Sequence, residues 1–139
     1  MLKARFGRFY NELYRGATCC YCGDRAETLD HIPPLDVVYH KGLDYFEIRG
    51  IQLVTVSACK NCNSILGSKA IYTVQHRVLE LYKVMLKKHE KLLKMPDWSE
   101  KDLYELKGNL RRMVRNHVKA KKFLERRLAF MEDQGIGMS

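Results

Sequence analysis

The chain has 139 residues, enough for one domain or a small module with an appendage and too few for two full-sized domains. Hydrophobic residues make up 46% and charged residues 29%, a balance that excludes a wholly disordered chain, and no apolar run reaches the roughly 18 residues that a membrane span requires. The net charge of +9 is uneven: residues 1–63 hold 8 basic and 7 acidic side chains, whereas residues 64–139 hold 17 and 9.

Taken from the start, residues 1–16 read as a short helix. Phe6, Phe9, Tyr10, Leu13 and Tyr14 follow helical spacing, which predicts an aromatic face on the core, and Gly16 is placed to end it. The basic start lacks the apolar stretch of a secretory signal. Four of the five cysteines fall in two pairs, Cys19 with Cys22 and Cys59 with Cys62; without such a signal the pairs read as metal ligands rather than disulfides, and the expected compartment is the cytoplasm.

Residues 17–70 form the expected compact unit. Cys19-Cys20-Tyr21-Cys22-Gly23 has the form of a knuckle turn, and Cys59-Lys60-Asn61-Cys62 repeats it. Zinc takes four soft or borderline ligands at the corners of a tetrahedron. Each Cys-x-x-Cys turn supplies one edge, so a structural zinc held by Cys19, Cys22, Cys59 and Cys62 would clamp the two ends of the segment between them. Cys20 is only two positions from Cys22 and is expected to be a small packed side chain. Between the knuckles, Pro33 and Pro34 rule out helix just after Asp30-His31 and favour extended chain. Tyr45 to Ile48 reads as a strand, and Gln52 to Val56 as a better one, being rich in β-branched residues after Gly50.

From residue 64 to 133 the pattern predicts two long helices of about 30 residues, each roughly 45 Å long. Ile71, Val74, Val78, Leu81, Met85 and Leu92 mark one stripe, which Pro96 ends. Ser99 is placed as an N-cap with Asp102 at the capping-box position. The second stripe is Leu103, Leu106, Leu110, Met113, His117, Ala120, Leu124 and Met131. The short link makes residues 71–133 an antiparallel hairpin, with a homodimer through the hairpin as one way to bury more of it. Gly135 and Gly137 mark residues 134–139 as a loose tail. On the last helix Arg111, Arg115 and Lys119 are four apart and share a face, with Lys122 nearby. Such a row can track a phosphate backbone without reading bases, although a solvated face carries the same charges.

The stretch Leu29-Asp30-His31-Ile32-Pro33 lies between the two knuckles, and Asn63, Gly67 and Lys69 follow the second. This order resembles the HNH, or ββα-metal, endonucleases, whose zinc-bearing members pair two Cys-x-x-Cys knuckles with an Asp-His-Ile-x-Pro stretch, then Cys-Asn and a Lys. The pattern covers Cys19 to Lys69. Within that group the run into a helical region is similar to phage recombination endonucleases of the endonuclease VII type. The resemblance implies an α+β fold: a small zinc-stapled ββα-metal core followed by the long two-helix hairpin. It also implies a metal-dependent hydrolase of DNA phosphodiester bonds, double-stranded or branched, in a bacterial or phage-infected cell. A neutral imidazole has a pKa near working pH, so His31 is the candidate base for water. Asp30 and Asn63 offer the oxygen ligands that Mg²⁺ or Mn²⁺ prefers. Adjacent strand residues point to opposite faces, so Asp30 and His31 can both serve only if the chain bends there. Lys60 and Lys69 flank this site and join the helical basic residues as DNA contacts. Many HNH proteins orient the histidine with an Asn from the stretch that here reads Val54-Thr55-Val56-Ser57, so Thr55 or a backbone carbonyl would take that part. Asp36 and His40 are expected in a loop, either as further ligands or without a role. The alternative is a zinc-bound DNA-binding module without catalysis. A helical assembly protein with a zinc-stapled N-terminal half is a third reading.

Overall fold

A computed structural model describes residues 2–134. The expected tail lies outside these residues apart from its first, Gln134. At the centre is a three-stranded sheet in which β3 (Val54–Ala58) lies between β1 (Asn11–Tyr14) and β2 (Thr28–Ile32). Strands β2 and β3 pair antiparallel in unbroken register, from Thr28 opposite Ala58 to Ile32 opposite Val54. Their Thr, Val and Ile side chains suit a pleated, half-buried surface. The β3 strand lies two residues beyond the expected Gln52–Val56, and it is buried from Thr55 to Ala58.

Ahead of β3, three expected elements take another form. The helix over residues 1–16 is only α1 (Leu2–Phe6), followed by a 3-10 turn at Gly7–Phe9 and strand β1 (Asn11–Tyr14). Gly7 weakens the helix there. The free edge of β3 then takes β1 as a parallel partner, with Asn11 opposite Val54, and that pairing overrides the local spacing. Phe9 and Leu13 are consequently exposed rather than packed in a core. The strand expected at Tyr45 to Ile48 is helix α3 (Leu43–Ile48), which buries Phe46. Gly42 and Gly50, both at positive φ, reverse the chain on either side of it. The loop expected around Asp36 and His40 is helix α2 (Leu35–Lys41), which starts directly after Pro34.

Helix α4 (Lys60–Leu66) leaves β3 through Cys59. The two expected long helices are broken. The first becomes α4, α5 (Val74–Lys88) and α6 (Glu90–Leu93), and the second becomes α7 (Glu100–Glu105) and α8 (Gly108–Asp133). Thr73 caps α5 by accepting from His76 N at 3.1 Å. The expected capping box forms at Ser99 and Asp102. The return path is antiparallel, because Tyr82 donates to Glu132 at one end and Lys121 reaches Asp97 at the other. The α5 stripe is buried at Val78, Leu81 and Met85 as its spacing predicts. The α8 stripe is not: Leu110 and Met113 are about half exposed, and burial begins only at Lys121, then Leu124, Arg127, Leu128 and Met131. The apolar ones, Leu124, Leu128 and Met131, share one core with Val78, Leu81, Met85, the knuckle cysteines, Ile32, Val56 and Leu66. No helix among the described residues is long and apolar enough to cross a membrane.

Candidate metal centre and its surroundings

The first knuckle is a tight turn in which Gly23 N donates to Cys19 O at 2.9 Å. Gly23 sits at φ 77°, and a Cβ there would meet the Phe130 ring at 2.6 Å, so the turn needs glycine twice over. The second knuckle uses the start of α4. Cys59 is its N-cap, and its sulfur accepts from Cys62 N at 3.3 Å. The sulfurs of Cys19, Cys22, Cys59 and Cys62 all lie within 4.8 Å of one another and all four residues are buried. A tetrahedral site with metal–sulfur bonds of ~2.3 Å has edges of ~3.8 Å, and Cys22 Sγ lies 3.7 Å from Cys59 Sγ. The set could therefore hold a metal ion such as zinc. Hydrogen bonding with Cys19 first, and then with Cys22 and Cys62, drives the Cys59 thiol far down, while Cys19 and Cys22 push Cys62 up. Cys20 stands apart, half-buried, with its thiol pushed up to about 12 by burial and by Asp30.

Asp30 and His31 do not converge. The register of β2 is regular through both residues, so the bend that would bring them together is absent and they face opposite sides of the sheet. The Asp30 carboxylate turns inward, 4% exposed. Tyr21 donates its hydroxyl to Asp30 Oδ2. Arg77, fully buried on α5, closes a fork on the carboxylate, with Nη2 at 2.9 Å from Oδ2 and Nε at 3.2 Å from the same oxygen. The second guanidinium arm, Nη1, donates to Ile71 O at 2.7 Å. Burial and Asp30 push the Tyr21 hydroxyl far up, which keeps it a donor. Asn63 is half-buried, and its amide nitrogen donates to Thr28 Oγ1 at 3.3 Å. The divalent cation expected between Asp30 and Asn63 does not fit this arrangement, because a guanidinium already occupies the carboxylate.

His31 is half-buried, with the Tyr10 ring edge-on at 4.9 Å. Thr55 lies directly opposite it in the register, on the same face. Burial and the nearby Lys3 lower the His31 pKa from its ordinary value, with Asp30 opposing. The imidazole is therefore neutral near pH 7. The Tyr10 hydroxyl donates to Pro33 O and pins the N-terminal segment across the Asp-His-Ile-Pro stretch. Asp36 serves its own helix, accepting from Val37 N at 3.0 Å, and His40 stacks edge-on to Tyr39.

The expected DNA contacts divide into engaged and free groups. Lys69 pairs with Glu80 at 2.8 Å, and Lys60 lies 3.8 Å from Glu27. Arg115 reaches Glu100 at 3.5 Å. Arg111 donates to the carbonyls of Leu106 and Tyr104, both at 2.7 Å, and so ties the end of α7 to α8. Lys119 and Lys122 are exposed and form no ion pair among the described residues.

Sequence reasoning missed Tyr21, Arg77 and Arg127. Arg77 sits beside Val78 and three residues after Val74, on the inward stripe of α5, and Arg127 lies between Leu124 and Leu128 on the inward stripe of α8. An arginine on an apolar stripe demands a buried acid or anion, and that was the available signal. Comparison with family models, with curated proteins and with solved structures gave no match for this chain.

Proposed function

We propose that this chain is a zinc-stapled DNA endonuclease of the HNH kind, with His31 as the general base. One observation carries the reading. The antiparallel pair β2–β3 runs straight into α4, the four thiols bring the turn ahead of β2 together with the start of α4, and the unit bears His31 on its first strand and Asn63 on its helix. Zinc is the ion that four buried thiolates favour, and with all four positions filled it has no open site and is structural. In the proposed reaction, neutral His31 takes a proton from water. The water oxygen bonds to phosphorus, the P–O3′ bond breaks, and the departing 3′ oxygen takes a proton from solvent. The products are the 5′-phosphate and 3′-hydroxyl that the resemblance implies. Lys119 and Lys122 would hold phosphates by charge alone, without reading bases. A homodimer through the helices would set two such sites on two strands, as cleavage of a four-way junction requires.

The Asp30–Arg77 pair favours a second reading. A zinc-bound module that holds DNA without cutting it needs no cation at Asp30, and here the carboxylate is closed. Nicking of supercoiled plasmid by zinc-loaded protein, with Mg²⁺ or Mn²⁺ present, separates the two. The endonuclease reading expects nicked and then linear DNA, with His31→Ala about 10²–10⁴-fold slower. Retained binding without any cutting selects the second reading. Cutting that His31→Ala leaves unchanged removes His31 from the chemistry. Running linear, nicked and four-way DNA side by side identifies the substrate class.

A further inference from the structure

Arg127 is 8% exposed on α8, and its surroundings are unusual for a buried cation. Among the described residues it pairs with no carboxylate. Its Nη2 points to Cys62 Sγ at 3.3 Å and Cys59 Sγ at 3.9 Å, with Asn61 Oδ1 at 2.8 Å as the one oxygen acceptor. Its Nε is buried without a partner. A guanidinium in such a place is costly unless an anion compensates it, and one neutral amide oxygen does not. The available anion is the thiol cluster. Cysteines give up their protons on binding a metal, and four thiolates around a doubly charged ion leave a net charge of −2. The guanidinium reduces that to −1 while donating to two of the four sulfurs.

We propose that Arg127 is the counter-charge of the four-thiolate zinc site, and that metal loading through it holds the C-terminal half of α8 against the knuckles. This rests on the zinc reading and not on catalysis. The geometry around Arg127 belongs to one docked surface. Leu124, Leu128 and Met131 enter the same core as the four cysteines, Phe130 covers Gly23, and Gln134 donates to Tyr21 O at 3.1 Å. A partner some 65 residues away in sequence thus ties the basic helix to the metal frame. Zinc would stabilise the knuckles and also fix where Lys119 and Lys122 stand. Arg77 offers the contrast within the same molecule: its counter-charge is a carboxylate, so it needs no metal.

The test is zinc affinity, measured by competition with a chromogenic chelator on full-length wild type, Arg127→Met and Arg126→Met. Groups that hydrogen-bond metal ligands typically change affinity 10–100-fold when removed. Arg127→Met is expected to lose zinc at that scale, and the exposed neighbour Arg126→Met to match wild type. Hydrogen exchange on wild type, zinc-loaded and chelated, is the second measurement and is independent of whether the variant folds. Amides from Lys121 to Met131 are expected to lose protection on chelation. Zinc affinity of Arg127→Met within twofold of wild type overturns the proposal, as does unchanged protection of α8. Wild type that binds no zinc overturns the zinc reading itself, a different outcome from zinc-bound protein indifferent to Arg127.

Discussion

The knuckles and the Asp30 stretch both place metal-binding residue types together, yet the fold completes them in opposite ways. At the knuckles four sulfurs face one another, and a single guanidinium stands behind two of them. One positive side chain cannot balance four thiolates, and the four sulfurs together could hold a divalent ion. At Asp30 a single carboxylate meets a single guanidinium with a tyrosine hydroxyl beside it, and the charges already cancel. The lesson concerns burial: a buried charge needs a partner, and whether a side chain or an ion provides it depends on how many charges converge.

Removing one sulfur is expected to have the largest effect. Cys59→Ser is expected to abolish stoichiometric zinc and to replace cooperative thermal unfolding with a broad transition, because structural zinc binding is worth about 10–16 kcal/mol of apparent free energy in small folds. Calorimetry with and without added zinc reads this directly. Retained one-to-one zinc in Cys59→Ser would place the metal elsewhere.

The other half of the comparison yields to Arg77→Met. It leaves Asp30 buried without its partner, and breaking such a pair typically costs about 3–5 kcal/mol. Denaturant titration should show that loss, and Asp30→Asn should also destabilise, since it leaves Arg77 unmatched. If Asp30 were held for a cation, Asp30→Asn would instead leave stability intact and change only divalent-ion binding.

A smaller effect is expected at His31. Its folded pKa lies below the unfolded value near 6.5. The unfolded chain therefore binds the proton more readily. This contribution to stability is fully present above the unfolded pKa and is lost as pH falls toward the folded one. Cleavage should persist somewhat below pH 6.5 and then decline as the imidazole protonates. An acid limb centred above 6.5 in the rate profile would contradict a buried neutral base. The smallest effects belong to the surface. Lys119→Ala and Lys122→Ala should weaken DNA binding across sequences and reduce the salt slope by about 1 each. Arg111→Ala should act mainly on stability, because it holds the carbonyls at the end of α7.

The knuckle spacing, the capping box at Ser99 and the α5 stripe were legible in the sequence because each is a local pattern with a local cause. The alternation of facing along β2 was also foreseeable, but whether the chain bends at His31 depends on its pairing with β3. The N-terminal segment was misread because parallel pairing with a distant strand outweighs aromatic spacing. On α8 the heptad-like rhythm runs through Leu110 and Met113, but both stay about half exposed, so periodicity marked a face that the described residues cover only in part. The partners of Asp30 lie 9 and 47 residues away, a relation that no spacing rule encodes.

The most direct test of the contrast between the two sites is a metal count. Wild type, Cys59→Ser and Asp30→Asn, each equilibrated with zinc and then with excess Mn²⁺, can be weighed intact by native mass spectrometry. One zinc per chain is expected in wild type and in folded Asp30→Asn, its loss in Cys59→Ser, and no tightly held Mn²⁺ in any of them. A second divalent ion in wild type that Asp30→Asn removes would contradict that count, and would return the Asp30 carboxylate to a metal rather than to Arg77.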